Sequence, residues 1–418
     1  MDVRVGELVL HEDEGAGKEN GHQENGRKEP RYATIAAQAG FCQEGNAFSG
    51  TKHGKAIFTA SVYEFETLEE LRASTYSYRR LGNPNSDDLA HALACLESAE
   101  SGLATSSGMG AVVATVLGLL KGGDTVFVHG DTYGGTFSFF EQDVRRFGIH
   151  VEMLDVMDVL QLDSALARWH HQHQQQLEGR NDDVRALVFC ESITNPLIRV
   201  ADVPGMSAVC RKHGALLVVD NTFGTPLRRK PLLQGANIVV HSATKFIGGH
   251  SDLIAGAVVG PAKLVDRARG VAHRWGLTIS PFDAWLCTRS IRTLQVRMER
   301  AWVTAERLAE RVAAEERAVV RVHAAPQCAV FSFEVAGGAE GASRVFDKLS
   351  LIKIAPSLGG VTTTVSHPAT SSHVSLGAAE RARLGIPDGL IRISVGVEDV
   401  EDLAHDLLPA VRAAVCHV

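Results

Sequence analysis

Short apolar runs alternate with amphipathic stretches through the middle of the chain. Continuous apolar runs at Thr125–Val128, Ala186–Phe189 and Leu216–Val219 predict buried strands, because a strand covered on both faces shows no alternation of polar and apolar positions. Between the last two runs, Asp202 predicts the N-terminal cap of a helix that ends near Gly214. Strands that alternate with helices in this way predict an α/β fold built on a mainly parallel sheet.

Two more helices are predicted before the first of these strands. The leucines within Leu89–Leu96 recur at helical spacing, and Ser86 is a suitable cap for their helix. A second helix is predicted from about Met109 to Leu120, where Gly122-Gly123 would end it.

The pattern changes after about Asp283. A long helical stretch is predicted from Trp285 to about Ala318, followed by strands near residues 329–331 and 391–393 and by a final helix after Asp399. These elements predict a smaller α+β domain at the C-terminal end of the chain.

The composition is that of a globular enzyme. Of 418 residues, 45% are hydrophobic and 22% charged, and the net charge of −7 gives no basic signature for nucleic-acid binding. No apolar run approaches the roughly 20 residues that span a membrane, and no signal peptide is recognisable. The seven cysteines show no CxxC or Cys/His metal spacing, which favours reduced thiols in a cytoplasmic protein.

Two polar stretches interrupt the ordered pattern. The charge-rich residues 1–31 predict a disordered tail. Residues 170–183, HHQHQQQLEGRNDD, are interpreted as a polar loop extension. A histidine metal site is the alternative interpretation, but no acidic or cysteine partner stands at ligand spacing, so we expect no metal.

An acid and a lysine follow two successive predicted strands. Asp220 comes directly after the run that ends at Val219, and the next predicted strand, residues 237–240, leads through His241-Ser242-Ala243-Thr244 to Lys245. In open α/β sheets, ligands bind at this end of the strands. Pyridoxal phosphate needs such a pair, a lysine that carries it covalently and a carboxylate that keeps its pyridine nitrogen protonated. A salt bridge, or two unrelated solvated charges, is the alternative.

A Gly-rich turn before the second helix is a candidate phosphate cradle. Gly108–Gly110 follows a run of hydroxyl side chains, and glycine lets the backbone approach an anion while the helix N-terminus offers N–H groups. Ser242 and Thr244 would add hydroxyl donors. An ordinary turn into a helix is the alternative.

Three further stretches hold residues that suit a cofactor or a substrate. Tyr78 and Arg80 lie in a run of tyrosines and arginines before a turn, where an exposed basic loop is favoured and a phosphate contact is the alternative. Tyr133 follows a predicted strand and either stacks on a planar cofactor or is a surface aromatic residue. Arg392 lies inside an apolar strand, where either a substrate carboxylate or an internal salt bridge must pair it.

Taken together, these stretches resemble the Cys/Met-metabolism family of pyridoxal-phosphate enzymes, from about residue 32 to 415. The family includes cystathionine γ-synthase, cystathionine γ- and β-lyases, methionine γ-lyase and O-acetylhomoserine sulfhydrylase. The resemblance implies fold-type I (aspartate-aminotransferase-like), with a neighbour-contacting arm over 32–80, a cofactor domain over 81–283 and an α+β domain over 284–418. The motifs that carry it, specific in combination, are YRRLGNP, SSGMGA, DTYGGT, ESITNP, VVDNTFGTP, HSATKFIGGHSD, SPFDAWL, APSLGG, SHPATSSH and IRISVGVED.

The same resemblance implies roles for single residues. Lys245 looks like the lysine that carries the cofactor and later moves protons, and Asp220 looks like the partner of the pyridine nitrogen. Tyr133 looks like the ring-stacking tyrosine, which would also help to activate the substrate or leaving group. Positions that bind the cofactor phosphate in the family are matched by Gly108, Met109, Ser242 and Thr244. Positions that reach the phosphate of a neighbouring subunit are matched by Tyr78 and Arg80. Positions that hold the cofactor edge and the substrate carboxylate are matched by Asn195, Ser357 and Arg392.

The implied activity is cleavage of the γ-carbon–sulfur bond of a methionine-, homocysteine- or cystathionine-like amino acid. The closest alternative is γ-replacement on O-acetyl- or O-succinylhomoserine by a thiol or other nucleophile; β-elimination and a catalytically silent scaffold are more remote. Gly135 stands where methionine γ-lyases usually carry Cys, and Thr362 where cystathionine lyases tend to have Glu. The bulky, basic Ala272–Trp275 either recognises a negative group on the substrate or packs at the surface. We expect a homotetramer of two active dimers, with no nucleic-acid or membrane partner.

Overall fold

The structure, a computed structural model, describes residues 31–39, 55–177, 186–374 and 376–415. Internal contacts divide these residues into two compact units. The large unit comprises the described parts of Ala39–Asn195 and Val200–Ser290; the small unit comprises Pro196–Arg199, the described chain from Ile291 onward and that up to Gln38. Apart from Arg31, the predicted disordered tail lies outside the described residues, and the predicted domain borders stay predictions.

A seven-stranded sheet forms the centre of the large unit. Numbered along the chain, its strands are β1 (Ser101–Thr105), β2 (Thr125–Val128), β3 (His150–Met153), β4 (Ala186–Glu191), β5 (Leu216–Asp220), β6 (Ile238–His241) and β7 (Gly256–Gly260). Their order in space is β1-β7-β6-β5-β4-β2-β3. Strands β2 to β6 pair in parallel, and β7 runs antiparallel to both of its neighbours. The predicted mainly parallel sheet is confirmed, and the carboxyl ends of β2, β4, β5 and β6 share one edge.

Helices lie before, between and after the strands of both units. No helix among the described residues is long and apolar enough to cross a membrane. In chain order the α-helices are α1 (Tyr32–Ala37), α2 (Leu68–Ala73), α3 (Pro84–Glu97), α4 (Gly108–Leu119), α5 (Gly134–Ser138), α6 (Val159–Leu177), α7 (Val203–His213), α8 (Thr225–Arg228), α9 (Ala262–Trp275), α10 (Pro281–Ile291), α11 (Leu294–Ala313), α12 (Gly338–Lys348), α13 (Ala378–Arg383) and α14 (Val400–Arg412).

Alternate residues of the same strand enter different hydrophobic clusters of the large unit. Val126 and Val128 join a cluster with residues of α4 and α9, whereas Phe127 between them joins a cluster with residues of α6 and α7. The sheet is therefore covered on both faces, which is why its central strands are continuous apolar runs in the sequence.

The small unit is built on a five-stranded sheet. Its strands are β8 (Val319–His323), β9 (Val330–Val335), β10 (Lys353–Ile354), β11 (Thr364–Ser366) and β12 (Leu390–Ser394), in the order β10-β11-β12-β9-β8. Helices α11, α12 and α14 share a hydrophobic cluster with this sheet. The predicted final helix after Asp399 is confirmed as α14. The Asp399 side chain caps it by accepting from the N–H of Glu401 at 2.8 Å.

Two helix predictions need correction. Helix α3 begins at Pro84 and is capped by Asn83 rather than Ser86; the Asn83 side chain accepts from the N–H of Asn85 at 2.9 Å. Proline suits the first helical position because no intrahelical bond is lost there. The stretch predicted as one helix from Trp285 to about Ala318 forms two, α10 and α11.

The predicted loop over 170–183 is wrong for residues 170–177, which continue α6. Trp169 anchors this part of the helix, because its Nε1 donates to Thr125 Oγ1 at 3.1 Å and its ring stacks on His173 at a centroid distance of 5.3 Å. Helical packing of one apolar face therefore outweighs the polar composition. The remainder of the stretch lies outside the described residues.

Candidate active site

Asp220 ends β5 at the carboxyl edge of the sheet. Its Oδ1 accepts from the backbone N–H of Thr222 at 2.9 Å and from Thr222 Oγ1 at 2.5 Å. The same Oγ1 accepts from the backbone N–H of Ser242 at 2.8 Å, so Thr222 ties Asp220 to the segment behind β6. Burial raises the pKa of Asp220, and the Thr222 donors and the charge of His241 oppose that rise.

Lys245 lies on a tight turn behind β6. Its backbone N–H donates to the carbonyl of Ser242 at 3.1 Å, and its own carbonyl accepts from the N–H of Gly249 at 2.7 Å. Lys245 is half-buried. Asp220 ends β5 and Lys245 follows β6, and these two strands are parallel neighbours, as the sequence predicts.

The first turn of α4 packs directly against Ser242. The helix is capped by Ser107, whose Oγ accepts from the N–H of Gly110 at 3.0 Å. A Cβ on Gly108 would lie 2.6 Å from the Cβ of Ser242, closer than real Cβ atoms come. Glycine is required here for the close approach, which brings two of the predicted phosphate-binding segments side by side.

Met109 and Thr244 lie in the same two segments and make other contacts. Met109 Sδ accepts from Thr136 Oγ1 at 3.7 Å. Thr244 Oγ1 donates to the carbonyl of Ala255 at 3.1 Å and accepts from the N–H of Ala255 at 3.0 Å. The hydroxyl hydrogen of Thr244 is therefore used within the protein.

Glu191, which the sequence analysis did not single out, is a buried carboxylate at the end of β4. Its Oε1 accepts from Thr132 Oγ1 at 3.0 Å and from the N–H of Tyr133 at 2.8 Å, and its Oε2 accepts from the N–H of Asn195 at 3.0 Å. Its Cα is in register with that of Asp220. Burial and then the charge of Asp220 raise the pKa of Glu191 to about 8, against the two backbone donors.

The side chain of Tyr133 is exposed although its backbone is anchored by Glu191. Tyr133 is 45% exposed. A Cβ on Gly135 would lie 2.6 Å from Tyr133 Cε1, so the ring lies directly against that glycine. Such a ring is available for stacking, as predicted.

A second buried carboxylate, Glu97, contacts the sequence neighbours of Asp220 and Ser242. Glu97 Oε1 accepts from Asn221 Nδ2 at 2.8 Å and lies 2.6 Å from His241 Nε2. The side chains of Glu97 and His241 are fully buried. Glu97 therefore braces both strand ends from α3, a role for which the local sequence has no signal.

Tyr78 and Arg80 lie close together in the large unit. Arg80 Cζ is 5.4 Å from the centre of the Tyr78 ring, and Arg80 Nη1 donates to the carbonyl of His273 at 2.6 Å. Burial, Arg269 and Arg80 lower the pKa of His273. A neutral His273 is thereby favoured, which argues against its recognising a substrate anion by charge.

Arg392 and Ser357 are brought together in the small unit. Arg392 is buried in β12, between Ser332 of β9 and Ser366 of β11, and its Nη2 donates to the carbonyl of Ser357 at 3.1 Å. The guanidinium is thus held in place within the sheet. Asn195, the third residue predicted to hold cofactor edge or substrate, belongs to the large unit.

Known proteins match nearly the whole chain. A family model described as Cys/Met metabolism PLP-dependent enzyme matches residues 33–412. This chain belongs to that family. The L-methionine gamma-lyase of Pseudomonas putida is 35% identical over 93% of this chain and 98% of its own length, and the O-succinylhomoserine sulfhydrylase of Pseudomonas aeruginosa is 36% identical over 90% and 94%. The crystal structure of cystathionine gamma synthase from Xanthomonas oryzae pv. oryzae in complex with cystathionine matches with a TM-score of 0.83 and 35% identity, covering 93% of this chain and 99% of that one.

Membership of the Cys/Met-metabolism family confirms the predicted fold-type I architecture, the enzyme class and the cofactor, pyridoxal phosphate. The site residues fit this cofactor. The cofactor requires a phosphate cradle, a carboxylate and a lysine. These are present as the space that a Cβ on Gly108 would fill, the half-buried Asp220 at the end of β5 and Lys245 behind β6. We expect the first turn of α4 and Ser242 to hold its phosphate, Asp220 its pyridine nitrogen and Lys245 its aldehyde carbon.

Proposed function

We propose that this enzyme cleaves the γ-carbon–sulfur bond of a methionine-, homocysteine- or cystathionine-like amino acid. Addition of one water then yields a 2-oxo acid, ammonia and a thiol. The observation that carries the proposal is the joint placement of Asp220, Lys245 and the exposed, anchored Tyr133 at one strand edge. The 35% identity of this chain with a methionine γ-lyase, over 93% of its length, supports the same reaction.

The protein's own groups would divide the work. When bound, pyridoxal phosphate supplies an electron sink for the α-carbon of the substrate. We propose that the amine of Lys245 takes the α-proton, that Asp220 holds the proton on the ring nitrogen, and that Arg392 pairs with the substrate carboxylate. The hydroxyl of Tyr133 would donate a proton to the departing sulfur.

A second candidate is γ-replacement, in which the sulfur of a thiol bonds to the γ-carbon of O-acetyl- or O-succinylhomoserine and the acyloxy group leaves as acetate or succinate. The similarity to an O-succinylhomoserine sulfhydrylase and to a cystathionine γ-synthase favours this candidate. Gly135 stands where methionine γ-lyases usually carry Cys, and Thr362 stands where cystathionine lyases tend to have Glu. These two positions therefore also favour a substrate other than those of the two lyase classes.

We also propose a cytoplasmic homotetramer of two active dimers, in which Tyr78 and Arg80 reach the phosphate of a neighbouring subunit. The segment before α3 carries large apolar side chains that are exposed in the single chain, among them Val62 at 57% and Leu68 at 70%. An apolar surface of this kind favours contact with another subunit.

The test is a substrate panel with the purified enzyme loaded with pyridoxal phosphate. Methionine, homocysteine, cystathionine and O-succinylhomoserine are each supplied with and without a thiol, and 2-oxobutanoate, ammonia and thioether are measured. We expect 2-oxobutanoate without added thiol, and a loss of about 10³-fold or more in K245A because that change removes both covalent and proton-transfer catalysis. The variant K121A is the control and should keep full activity. Thioether formed from O-succinylhomoserine, with no 2-oxobutanoate from any substrate, would reject the lyase in favour of the synthase.

A further inference from the structure

We propose that Glu191 is a positioning residue of the cofactor site, which fixes the Tyr133 turn and the Asn195 segment to the strand edge that carries Asp220. The proposal rests on the proposed function only in taking pyridoxal phosphate as the cofactor. It holds for elimination and for replacement alike, because both need the same cofactor orientation.

The carboxyl group of Glu191 joins two turns at the sheet edge. One oxygen accepts from the turn behind β2, at Thr132 Oγ1 and the N–H of Tyr133, and the other accepts from the N–H of Asn195 in the turn behind β4. Thr132 is 1% exposed, Asn195 5% and Glu191 6%, so water cannot replace these bonds easily. A donor left unpaired there would pull its turn away from the edge to find a new acceptor.

The contact uses both oxygens of a side chain of this length. Glutamine has one oxygen, so its NH2 group would point at the N–H of Asn195 or at the Thr132–Tyr133 pair. Aspartate keeps both oxygens but is one methylene shorter and cannot reach both turns from the same backbone position. Alanine removes all three acceptor contacts.

The consequence for the cofactor follows from which residues Glu191 holds. Tyr133 has an exposed ring on a backbone that is bonded to Glu191, so the angle of the ring depends on that bond. Asp220, the expected partner of the ring nitrogen, is the register neighbour of Glu191 on the adjacent strand. Glu191 therefore sets the position of the stacking ring relative to the carboxylate.

The test compares holoenzymes of the wild type, E191A, E191D and T132V. Two measurements are made on each, the visible circular dichroism of the bound cofactor and the rate at which the cofactor leaves the protein during dialysis. D406N is the matched control, because Asp406 in the small unit likewise accepts from the backbone N–H groups of Ser350, Leu351 and Ile352.

We expect E191A to lose cofactor about tenfold faster or more and to show a weaker visible circular dichroism band, since each 1.4 kcal/mol of lost binding is a factor of ten. E191D and T132V should fall between E191A and the wild type. D406N should lower the melting temperature and leave both cofactor measurements unchanged.

Retention of the wild-type dichroism and release rate in E191A, with only a lower melting temperature, would overturn the proposal. If E191A does not fold, wild-type values in both E191D and T132V overturn it instead. Neither measurement involves turnover, so failure of the proposed lyase reaction would appear in the substrate panel and leave this result intact.

Discussion

The half-buried Asp220 and the buried Glu191 are register neighbours at the sheet edge, and different surroundings act on their pKa values. Both are raised in pKa by burial, but Asp220 receives a hydroxyl, an N–H and the charge of His241 in compensation, whereas Glu191 also feels the charges of Asp220 and Asp131. A charge on Asp220 therefore disfavours ionisation of Glu191. A positively charged pyridine ring beside Asp220 would favour the ionised forms of both.

We expect the stability of the cofactor-stripped enzyme to fall as pH rises, because of Glu191. Its pKa is about 8 in the folded protein, against an ordinary value of 4.5, so its stabilising contribution is complete below pH 4.5 and is lost as pH rises towards 8. The slope is up to about 1.4 kcal/mol per pH unit in that window. E191Q cannot ionise and should show a flatter dependence of melting temperature between pH 5 and pH 8, on the scale of a few degrees. An unchanged slope in E191Q would contradict the assignment; D406N should keep the wild-type slope, since the pKa of Asp406 is lowered.

At the scale of elements, the start of α4 packs closely against the segment behind β6. Gly108 lets the helix N-terminus approach the segment behind β6. The side chain of Ser107 caps the helix by accepting from the N–H of Gly110. A second glycine of the same helix, Gly118, approaches α9 almost as closely, with a Cβ position 2.9 Å from Ala268 Cα. The two ends of α4 thus have similar packing but different expected functions.

This pair of glycines allows a matched test of the cradle. We expect G108A to raise the cofactor dissociation constant about tenfold or more, because the methyl group must push α4 away from Ser242 at a typical cost of about 1–3 kcal/mol. G118A should lower the melting temperature by a similar amount without changing cofactor affinity. Fluorescence titration and thermal melting on both variants measure the two effects. Equal losses of affinity in both variants would mean that the helix acts only as scaffold.

At the scale of the whole molecule, the expected division of the site between subunits remains a proposal. In the single chain Arg80 is paired with the carbonyl of His273 and lies near Tyr78. If Arg80 serves the neighbouring subunit, that hydrogen bond must be exchanged for the phosphate on assembly, which a strong charge-assisted contact would favour.

Co-expression of K245A with R80A tests this division. Each variant alone should be nearly inactive. If Arg80 acts across the interface, mixed dimers contain one site with both wild-type residues, and about a quarter of all sites should recover by statistical assembly. Activity of the co-purified mixture, with the mass measured by light scattering, gives the result. No recovery in mixed dimers would place Arg80 in the site of its own chain.

The apolar runs and the motif spacing were sufficient to predict the parallel strands, the family and the candidate pair Asp220 and Lys245. These features are local: a strand buried on both faces must be apolar throughout, and a group that follows a strand lies at the sheet edge. The cap at Asp202 and the final helix after Asp399 are equally local, because each side chain bonds to its own first turn.

Contacts between distant segments could not be predicted in this way. Glu191 meets Tyr133 across 58 residues and Glu97 meets Asn221 across 124, and the sequence around each glutamate does not indicate its distant partner. The extension of α6 to Leu177 likewise depends on the packing of Trp169 against β2, which overrides a polar composition. Strands and candidate residues follow from short-range pattern, whereas the carboxylates that hold those residues in place depend on the fold bringing far parts of the chain together.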